Sequence, residues 1–260
     1  MSKPPQYPAG HALLEGKVVV VTASAGAGIG QAAARRCLEE GARVVISDTH
    51  ERRLGETLET LKAEHPNNVA AALCNVTDEA QVQQLIETAV GTFGRLDVMI
   101  NNAGLGGTRS ILEMSDDEWT KVLDVTLNGT FRCTRAAVKQ MVEQGGGGAV
   151  VNNASVIGWR AQEGQAHYAA AKAGVMALTR CAALDVAAHN IRVNAVAPSL
   201  AMHPHLVKVT SDELLAELTQ REAFGRYAEP WEVANVMVFL ASDYSSYLTG
   251  EVISVSSQHP

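Results

Sequence analysis

The chain has 260 residues, of which 47% are hydrophobic and 19% are charged, a balance typical of a packed globular protein and not of a disordered or fibrous one. It carries 21 lysines and arginines against 28 aspartates and glutamates, and the net charge of −7 argues against binding to nucleic acid. Four scattered cysteines without a Cys-x-x-Cys pair fit neither a zinc site nor a disulfide scaffold, so we expect reduced thiols and a cytoplasmic location.

Residues 1–16 contain several prolines and no apolar run, which predicts a flexible N-terminal arm that is neither a signal peptide nor a membrane anchor. From residue 17 onward, short apolar runs alternate with longer amphipathic stretches. Seven runs predict strands, at residues 17–22, 43–47, 69–76, 96–101, 149–153, 192–197 and 252–255. Parallel strands buried on both faces are apolar throughout and need crossover helices. Residues 17–260 are therefore expected to form a single α/β domain, a doubly wound seven-stranded parallel sheet with helices on both faces.

Helix ends are also marked in the sequence. Ser115 and Glu118 have the spacing of a capping box, and Pro230 suits the first turn of a helix that runs to Leu240. Gly41 stands at a position typical of the glycine that follows a helix. These signals support alternating strands and helices.

A glycine-rich turn follows the first predicted strand. Gly26, Gly28 and Gly30 precede a helix that begins near Gln31, and glycines there allow the backbone to approach a pyrophosphate beside the free N–H groups of the helix. Asp48 follows the second strand, where a carboxylate accepts hydrogen bonds from ribose hydroxyls and repels a 2′-phosphate. The sequence therefore predicts a dinucleotide site that favours NAD.

Two arginines keep NADP open as the alternative. Arg52 and Arg53 follow Asp48 closely, and a guanidinium pair can bind a 2′-phosphate. An arginine pair at the start of an exposed helix is also typical of a solvated face. Asp48 therefore favours NAD over NADP despite the two arginines.

Three polar residues have the spacing of a catalytic group. Tyr168 and Lys172 are four residues apart in a helix-compatible stretch, so both side chains share one face. A nearby ammonium stabilises a phenolate and lowers the pKa of the tyrosine towards working pH. Ser155 ends the fifth strand, at the edge of a parallel sheet where ligands bind.

These features, with Asn101-Asn102-Ala103-Gly104 after the fourth strand, resemble the short-chain dehydrogenase/reductase family over residues 17–255. The resemblance implies a Rossmann-type fold and an NAD(P)-dependent interconversion of a secondary alcohol and a ketone. It implies that Tyr168 is the general acid or base, that Ser155 holds the substrate oxygen, and that Lys172 lowers the tyrosine pKa and binds the nicotinamide ribose. The implied cofactor pocket consists of Thr22, Ser24, Gly26, Gly28, Ile29, Gly30, Asp48, Asn75, Val76, Asn102, Ala103, Gly104, Tyr168, Lys172 and Pro198.

The sequence departs from the family pattern around the cofactor. The glycine turn is one residue longer than usual and has Ala23 in place of the first glycine. Asn75 stands where the family usually has the aspartate that contacts adenine, and an amide oxygen can serve as the acceptor instead. Ser199 replaces a glycine after Pro198.

A further departure falls in the proton relay. Thr126 aligns with the asparagine that carries a water in the relay, so either its hydroxyl or its backbone holds that water, or the relay is altered. His203 and His205 resemble a metal pair, but no third ligand is identifiable and no metal is expected.

Residues 203–224 are expected to cover the substrate, and their leucines either contact a bulky apolar ligand or pack a helix against the body. Residues 152–182 and 241–260 resemble an actinobacterial branch of the family in steroid catabolism. That resemblance implies as substrate a ring hydroxyl of a hydroindane CoA thioester derived from steroid rings C and D. Arg109, Arg160 and Lys208 could meet the CoA phosphates or belong to a solvated face.

Two other functions remain open. A 3-oxoacyl-thioester reductase would use the same residues on a different ligand. A non-catalytic cofactor-binding scaffold is suggested by Thr126, although the tyrosine and lysine are both present. The family resemblance also implies a homotetramer packed through the helices around residues 119–141 and 169–188, with no membrane partner.

Overall fold

A seven-stranded parallel sheet forms the centre of the computed structural model, which describes residues 3–202, 206 and 212–258. The strand order is 3-2-1-4-5-6-7, and every neighbouring pair is parallel. The strands are β1 (Val18–Val21), β2 (Arg43–Asp48), β3 (Val69–Leu73), β4 (Val98–Asn101), β5 (Gly148–Asn153), β6 (Ile191–Pro198) and β7 (Val252–Val255). This topology confirms the fold class predicted from the sequence. The third strand ends at Leu73 and not at residue 76, because Asn75 forms a turn with Thr77.

Helices connect the strands and cover both faces of the sheet. Those with described bounds are α1 (Ile29–Glu39), α2 (Glu51–Glu64), α3 (Glu79–Phe93), α4 (Asp116–Leu123), α5 (Gly129–Gln144), α6 (Ala166–Val186), α7 (Asp212–Gln220) and α8 (Pro230–Ala241). The predicted capping box of Ser115 and Glu118 is present, Pro230 begins α8, and Gly41 follows α1 with a φ of 87°. Within the described residues, no helix has the length and apolarity needed to cross a membrane.

Alternate residues of β1 pack on opposite sides of the sheet. Val19 and Val21 face the layer of α1, α2 and α8, whereas Val18 and Val20 face the layer of α3, α5 and α6. All four valines are fully buried. The two apolar layers explain why the strand sequences lack the polar alternation of a sheet with one solvated face.

The chain changes direction at β1. After β3 it crosses back to place β4 on the other side of β1, so the connections that follow β1 and β4 leave in opposite directions. In open parallel sheets, ligands bind in the crevice outside the carboxyl ends of the strands at such a point. The topology thus brings the glycine turn and the Asn102 segment to one crevice.

Part of the predicted flexible arm is packed against the domain. Leu14 is fully buried, and the Tyr7 ring lies 5.3 Å from the Trp231 ring in an edge-on contact. The buried Glu40 carboxylate accepts hydrogen bonds from the main-chain N–H groups of His11 and Leu13. This packing differs from the expected loose arm, because a buried carboxylate on α1 needs donors that the arm supplies.

Glu40 forms the most buried ion pair in this part of the fold, since it and Arg36 are 1% and 4% exposed along their side chains. Replacing Glu40 with alanine is expected to lower the free energy of unfolding by about 3 kcal/mol, because it leaves a buried guanidinium short of a partner. Glu64→Ala removes the more exposed pair with Arg35 and should cost less than about 1 kcal/mol. Denaturant unfolding of both variants measures the difference, and equal losses would contradict it.

Candidate active site

The glycine turn is tied to the segment after β4 by Thr22 and Asn102. The Thr22 hydroxyl accepts hydrogen bonds from the main-chain N–H groups of Asn102 and Ala103, each at 3.0 Å. The Asn102 amide donates in return to the carbonyl oxygens of Thr22 at 3.2 Å and Ala23 at 3.0 Å. These bonds fix the floor of the crevice between β1 and β4.

The glycine turn has Ala23 at the position where the family usually has its first glycine. Its φ of 49° lies in the left-handed region that favours glycine, the residue the family usually has there. Gly30 cannot carry a side chain without a shift, because a Cβ would lie 2.3 Å from the Ala23 carbonyl oxygen and 2.4 Å from the Asn102 amide nitrogen. Gly28 caps α1 without a side-chain hydrogen bond, and the first turn has no acidic residue. Ile29 and Gly30 thus begin a helix whose N–H groups suit an anion such as a pyrophosphate.

Ser24 braces the turn from the inside. It is fully buried, and its hydroxyl donates to the Val21 carbonyl at 2.9 Å and accepts from the Ser47 N–H at 3.0 Å. The predicted direct contact of Ser24 with the cofactor does not fit this burial. Gly26 lies nearer the surface and donates its N–H to the Thr57 hydroxyl.

Asp48 ends β2 as predicted and is 8% exposed. One of its carboxylate oxygens accepts from the His50 N–H at 2.9 Å and lies 3.4 Å from the Arg53 guanidinium. Arg52 instead pairs with Glu56 on the exposed face of α2. The structure therefore separates the two arginines, with Arg53 beside the carboxylate and Arg52 turned away.

The segment after β3 differs from its predicted use. The Asn75 side-chain oxygen already accepts from the N–H of Thr77 at 3.1 Å and from its hydroxyl at 3.0 Å. The acceptor that we assigned to adenine is thus engaged within the turn. Val76 is buried against Gly129, where an added Cβ would lie 2.6 Å from a Val76 methyl carbon.

Ser155, Tyr168 and Lys172 come together at the carboxyl ends of the central strands. Ser155 follows β5 and is hydrogen-bonded to Tyr168, while the Lys172 ammonium lies 5.5 Å from the centre of the Tyr168 ring. Pro198 ends the neighbouring β6 at the same edge of the sheet, paired with Val255. The geometry assembles the three side chains that the sequence grouped together.

Burial controls the electrostatics of this group. Desolvation raises the pKa of Tyr168 above its ordinary value, and the hydrogen bond from Ser155 partly offsets the rise. Desolvation lowers the pKa of Lys172 to about 8. Lys172 is 3% exposed, and its ammonium donates a hydrogen bond to the Asn153 main-chain carbonyl oxygen. The lysine is thus poised to change charge near working pH.

The Thr126 hydroxyl has a structural role beside the predicted relay, which stays a prediction. It is fully buried in a π-helical turn, Asp124–Asn128, between α4 and α5. Its hydroxyl donates to the Leu105 carbonyl at 3.0 Å and accepts from the Leu105 N–H at 2.9 Å, and its own carbonyl accepts from the Thr130 hydroxyl. The hydroxyl ties the loop after Gly104 to the helix, and its hydrogen is therefore not free to bind a water, although each oxygen keeps a second lone pair.

Sequence reasoning missed residues that flank the tyrosine. The Asn153 amide donates to the Asn102 side-chain oxygen at 2.9 Å, and the His167 ring accepts from the Tyr168 N–H at 2.8 Å. A Cβ on Gly106 would lie 3.6 Å from the Tyr168 ring. Two consecutive asparagines at the end of an apolar strand, residues 152–153, are the signal that could have indicated a polar site.

The substrate side of the site is partly described. His203, His205 and Lys208 lie outside the described residues, as does much of the predicted covering segment before α7. Arg109 is paired with Glu118 at 3.0 Å, which weakens its assignment to a CoA phosphate. Among the described residues, no cluster of three histidine, cysteine or carboxylate side chains could hold a metal ion.

A clasp of Glu222, Ser257 and Gln258 joins the chain after α7 to the carboxyl end of the protein. Glu222 is 4% exposed, and its carboxylate accepts from the Ser257 hydroxyl and the Gln258 amide, both at 2.6 Å. The Leu200 N–H, just beyond β6, lies 3.4 Å from the same carboxylate. The clasp therefore anchors the end of the covering segment at the edge of the sheet where Ser155 lies.

The lowered pKa of Lys172 predicts a pH-dependent stability. In the folded protein the lysine loses its proton at about pH 8, against an ordinary pKa of 10.5, so between these values the unfolded chain binds more protons and stability rises with pH. Lys172→Met lacks this gain. From about pH 7 to pH 10, the wild type should gain on the order of 3 kcal/mol relative to Lys172→Met in denaturant unfolding. Parallel pH curves for the two proteins would contradict the prediction.

The comparisons with known proteins agree with this geometry. A family model described as enoyl-(acyl carrier protein) reductase matches residues 23–257. The chain is 61% identical to (5R,7aS)-5-hydroxy-7a-methyl-1-oxo-2,3,5,6,7,7a-hexahydro-1H-indene-carboxyl-CoA reductase of Mycobacterium tuberculosis, over 100% of this chain and 99% of the relative. It is 40% identical to the 3-oxoacyl-(acyl-carrier-protein) reductase FabG of Thermotoga maritima, over 93% and 97%.

A solved structure supports the same conclusion. The crystal structure of a short chain dehydrogenase from Mycobacterium smegmatis is similar over 99% of both chains, with a TM-score of 0.89 and 54% sequence identity. Likeness at that identity and coverage shows both the fold and the family. On its motifs, its topology and these comparisons, the chain belongs to the short-chain dehydrogenase/reductase family.

Proposed function

We propose that this NAD(P)-dependent oxidoreductase interconverts a ketone and a secondary alcohol on the ring system of a hydroindane CoA thioester derived from steroid rings C and D. The observation that carries the proposal is full-length 61% identity to a reductase of such a thioester, joined to the assembled Ser155, Tyr168 and Lys172. A cavity of about 390 Å³ at the start of α6, lined by residues 109–111 and 161–166, is of the size that holds a small molecule.

The dinucleotide fits the residues present. The absence of a side chain at Gly30 lets the start of α1 pack against the Ala23 carbonyl and the Asn102 amide, and the open N-terminus of α1 offers donors for the pyrophosphate. When bound, the nicotinamide supplies or takes the hydride. We propose NAD as the cofactor, because the buried Asp48 carboxylate suits ribose hydroxyls and repels a 2′-phosphate.

The chain's own residues then handle the proton and the oxygen. Ser155 donates a hydrogen bond to the substrate oxygen, and in the reductive direction the Tyr168 hydroxyl gives it a proton as the carbonyl becomes an alcohol. In the oxidative direction the tyrosine takes the proton back. The Lys172 ammonium stabilises the phenolate left after proton donation. The hydrogen bond from Ser155 opposes the rise in the Tyr168 pKa that burial causes.

A 3-oxoacyl-thioester reductase is the second candidate. The similarity to FabG of Thermotoga maritima favours it, and the same three residues would perform the chemistry. The two candidates differ only in the ligand carried by the thioester. The third candidate function is a cofactor-binding scaffold without catalysis, which would turn over no alcohol or ketone.

Oligomeric state and location complete the proposal. A homotetramer packed through α4, α5 and α6 would cover the exposed rings of Trp119 and Phe131, which are 36% and 43% exposed. A cytoplasmic protein would keep the cysteines reduced, and Cys37, Cys74 and Cys133 are buried as free thiols.

The deciding assay compares substrates with both cofactors. We expect turnover of the hydroxylated hydroindane CoA thioester with NAD to exceed that of a 3-hydroxyacyl-CoA and of a steroid alcohol. Tyr168→Phe should lower kcat by at least about a hundredfold because it removes the proton donor. Tyr244→Phe, which changes a tyrosine that is 78% exposed, is the matched control. Turnover confined to the acyl chain would select the second candidate, and no turnover by wild type would select the scaffold.

Cofactor choice has its own test. Asp48→Ser removes the carboxylate that would face the 2′-position, so the ratio of kcat/KM for NAD to that for NADP should fall by about tenfold or more. Glu56→Gln removes an exposed carboxylate on the neighbouring helix and should leave the ratio unchanged. An unchanged ratio in Asp48→Ser would show that this carboxylate does not select the cofactor.

A further inference from the structure

We propose that Asn153 is a positioning residue, which fixes the position of Lys172 relative to the dinucleotide turn and supplies a buried hydrogen-bond acceptor that has no partner of its own. The inference rests on the proposed function, since it concerns the lysine that serves Tyr168. It assigns a role to a side chain that neither the motif nor the comparisons single out.

A continuous line of hydrogen bonds passes through Asn153. The Lys172 ammonium donates to its main-chain carbonyl, and its side-chain amide donates to the Asn102 oxygen at 2.9 Å. The Asn102 amide then holds the carbonyls of Thr22 and Ala23 in the glycine turn. One residue thus joins the ammonium to the loop that would receive the pyrophosphate.

The remaining polar atom of Asn153 has no partner of its own. Its side-chain oxygen is buried and makes no hydrogen bond within the described part of the chain. A buried acceptor without a donor is costly, and native proteins keep such atoms mainly where a water, a ligand or a moving donor completes them. We assign this atom to a water, or to the Lys172 ammonium when it leaves the main-chain carbonyl.

Thr126 is the other polar side chain near the Lys172 ammonium. Its hydroxyl donates its hydrogen to Leu105 and accepts from the Leu105 N–H, and a Cβ on Gly104 would lie 3.8 Å from the hydroxyl and 3.6 Å from the Lys172 nitrogen. The threonine is therefore near the ammonium but committed to the loop. Asn153 is the residue with both a contact to Lys172 and an acceptor to spare.

The surroundings of Lys172 make its charge a sensitive reporter. Its own helix presents Tyr168, which is titratable, and the shift of its pKa arises from burial alone. Within the described residues, the groups recorded near the ammonium from other elements are uncharged, namely Gly104, Thr126 and Asn153. A change in the charge at residue 153 should therefore register in the pH profile.

Two substitutions at Asn153 separate its amide link to Asn102 from its side-chain acceptor. Asn153→Leu keeps the volume and the main-chain carbonyl but removes the amide link and the acceptor. Asn153→Asp keeps the acceptor, loses the donation to Asn102 and places a carboxylate beside the ammonium. Circular dichroism and thermal unfolding check that each variant folds, and Asn194→Leu, which removes an amide from the neighbouring β6, is the matched control.

The measurements are the pH profile of kcat and kcat/KM for the cofactor, taken with whichever substrate the wild type turns over. Asn153→Leu should lower kcat/KM for the cofactor by about tenfold, the effect of losing the hydrogen bond to Asn102 and leaving the Asn102 side-chain oxygen without that donor, whereas Asn194→Leu should not. Asn153→Asp should move the limb of the pH profile that reports Lys172 upward by about one unit, because the new charge stabilises the ammonium.

The outcomes separate this inference from the proposed function. A wild type that is active while both Asn153 variants keep its pH profile and its cofactor kcat/KM would overturn the role of Asn153 and leave the function standing. If Asn153→Leu fails to fold, an unshifted profile in Asn153→Asp overturns the role by itself. A wild type without turnover would overturn the function, and fluorescence titration of the cofactor would then test the link, since Asn153→Leu should still bind it more weakly.

Discussion

The hydrogen bonds between Thr22 and Asn102 are the constraint on which the site depends. Parallel strands end without a turn that joins them, so the loops after β1 and β4 need side chains to hold them together at the point where the chain changes direction. Thr22 accepts from the second loop and Asn102 donates to the first. The same bonds position the glycine turn, and Asn102 also accepts a hydrogen bond from Asn153 at the end of β5.

Burial then determines the chemistry of the residues that these loops surround. An ammonium and a phenol in a poorly hydrated space both favour their neutral forms, which is why Lys172 titrates near neutrality and Tyr168 resists ionisation. Each charge that forms during turnover, on the phenolate or the ammonium, must therefore be stabilised by a nearby polar group. Among the described residues, the main-chain carbonyl of Asn153 is the group that holds the ammonium.

The sequence contains enough to predict the sheet, its strand pattern and the grouping of Ser155, Tyr168 and Lys172, because period, spacing and turn chemistry are local. The sequence does not show which partner each hydrogen-bonding group has in the folded protein. Thr126 and Asn75 were predicted to face ligands, yet Thr126 also bonds Leu105, which lies close only in the fold, and the Asn75 oxygen accepts two bonds from Thr77 in a local turn. The packed arm was missed for the same reason, since the need of Glu40 for donors is visible only once α1 is buried.

The clasp of Glu222, Ser257 and Gln258 bears on how the protein can be handled. Ser257 and Gln258 are bound to a buried carboxylate at the edge of the sheet, so residues added directly after them would start beside that carboxylate. The amino-terminal segment is also in use, with Leu14 in the core and Tyr7 against α8. Tags should therefore be joined through a long linker ahead of the first packed residues and removed before substrate specificity is measured.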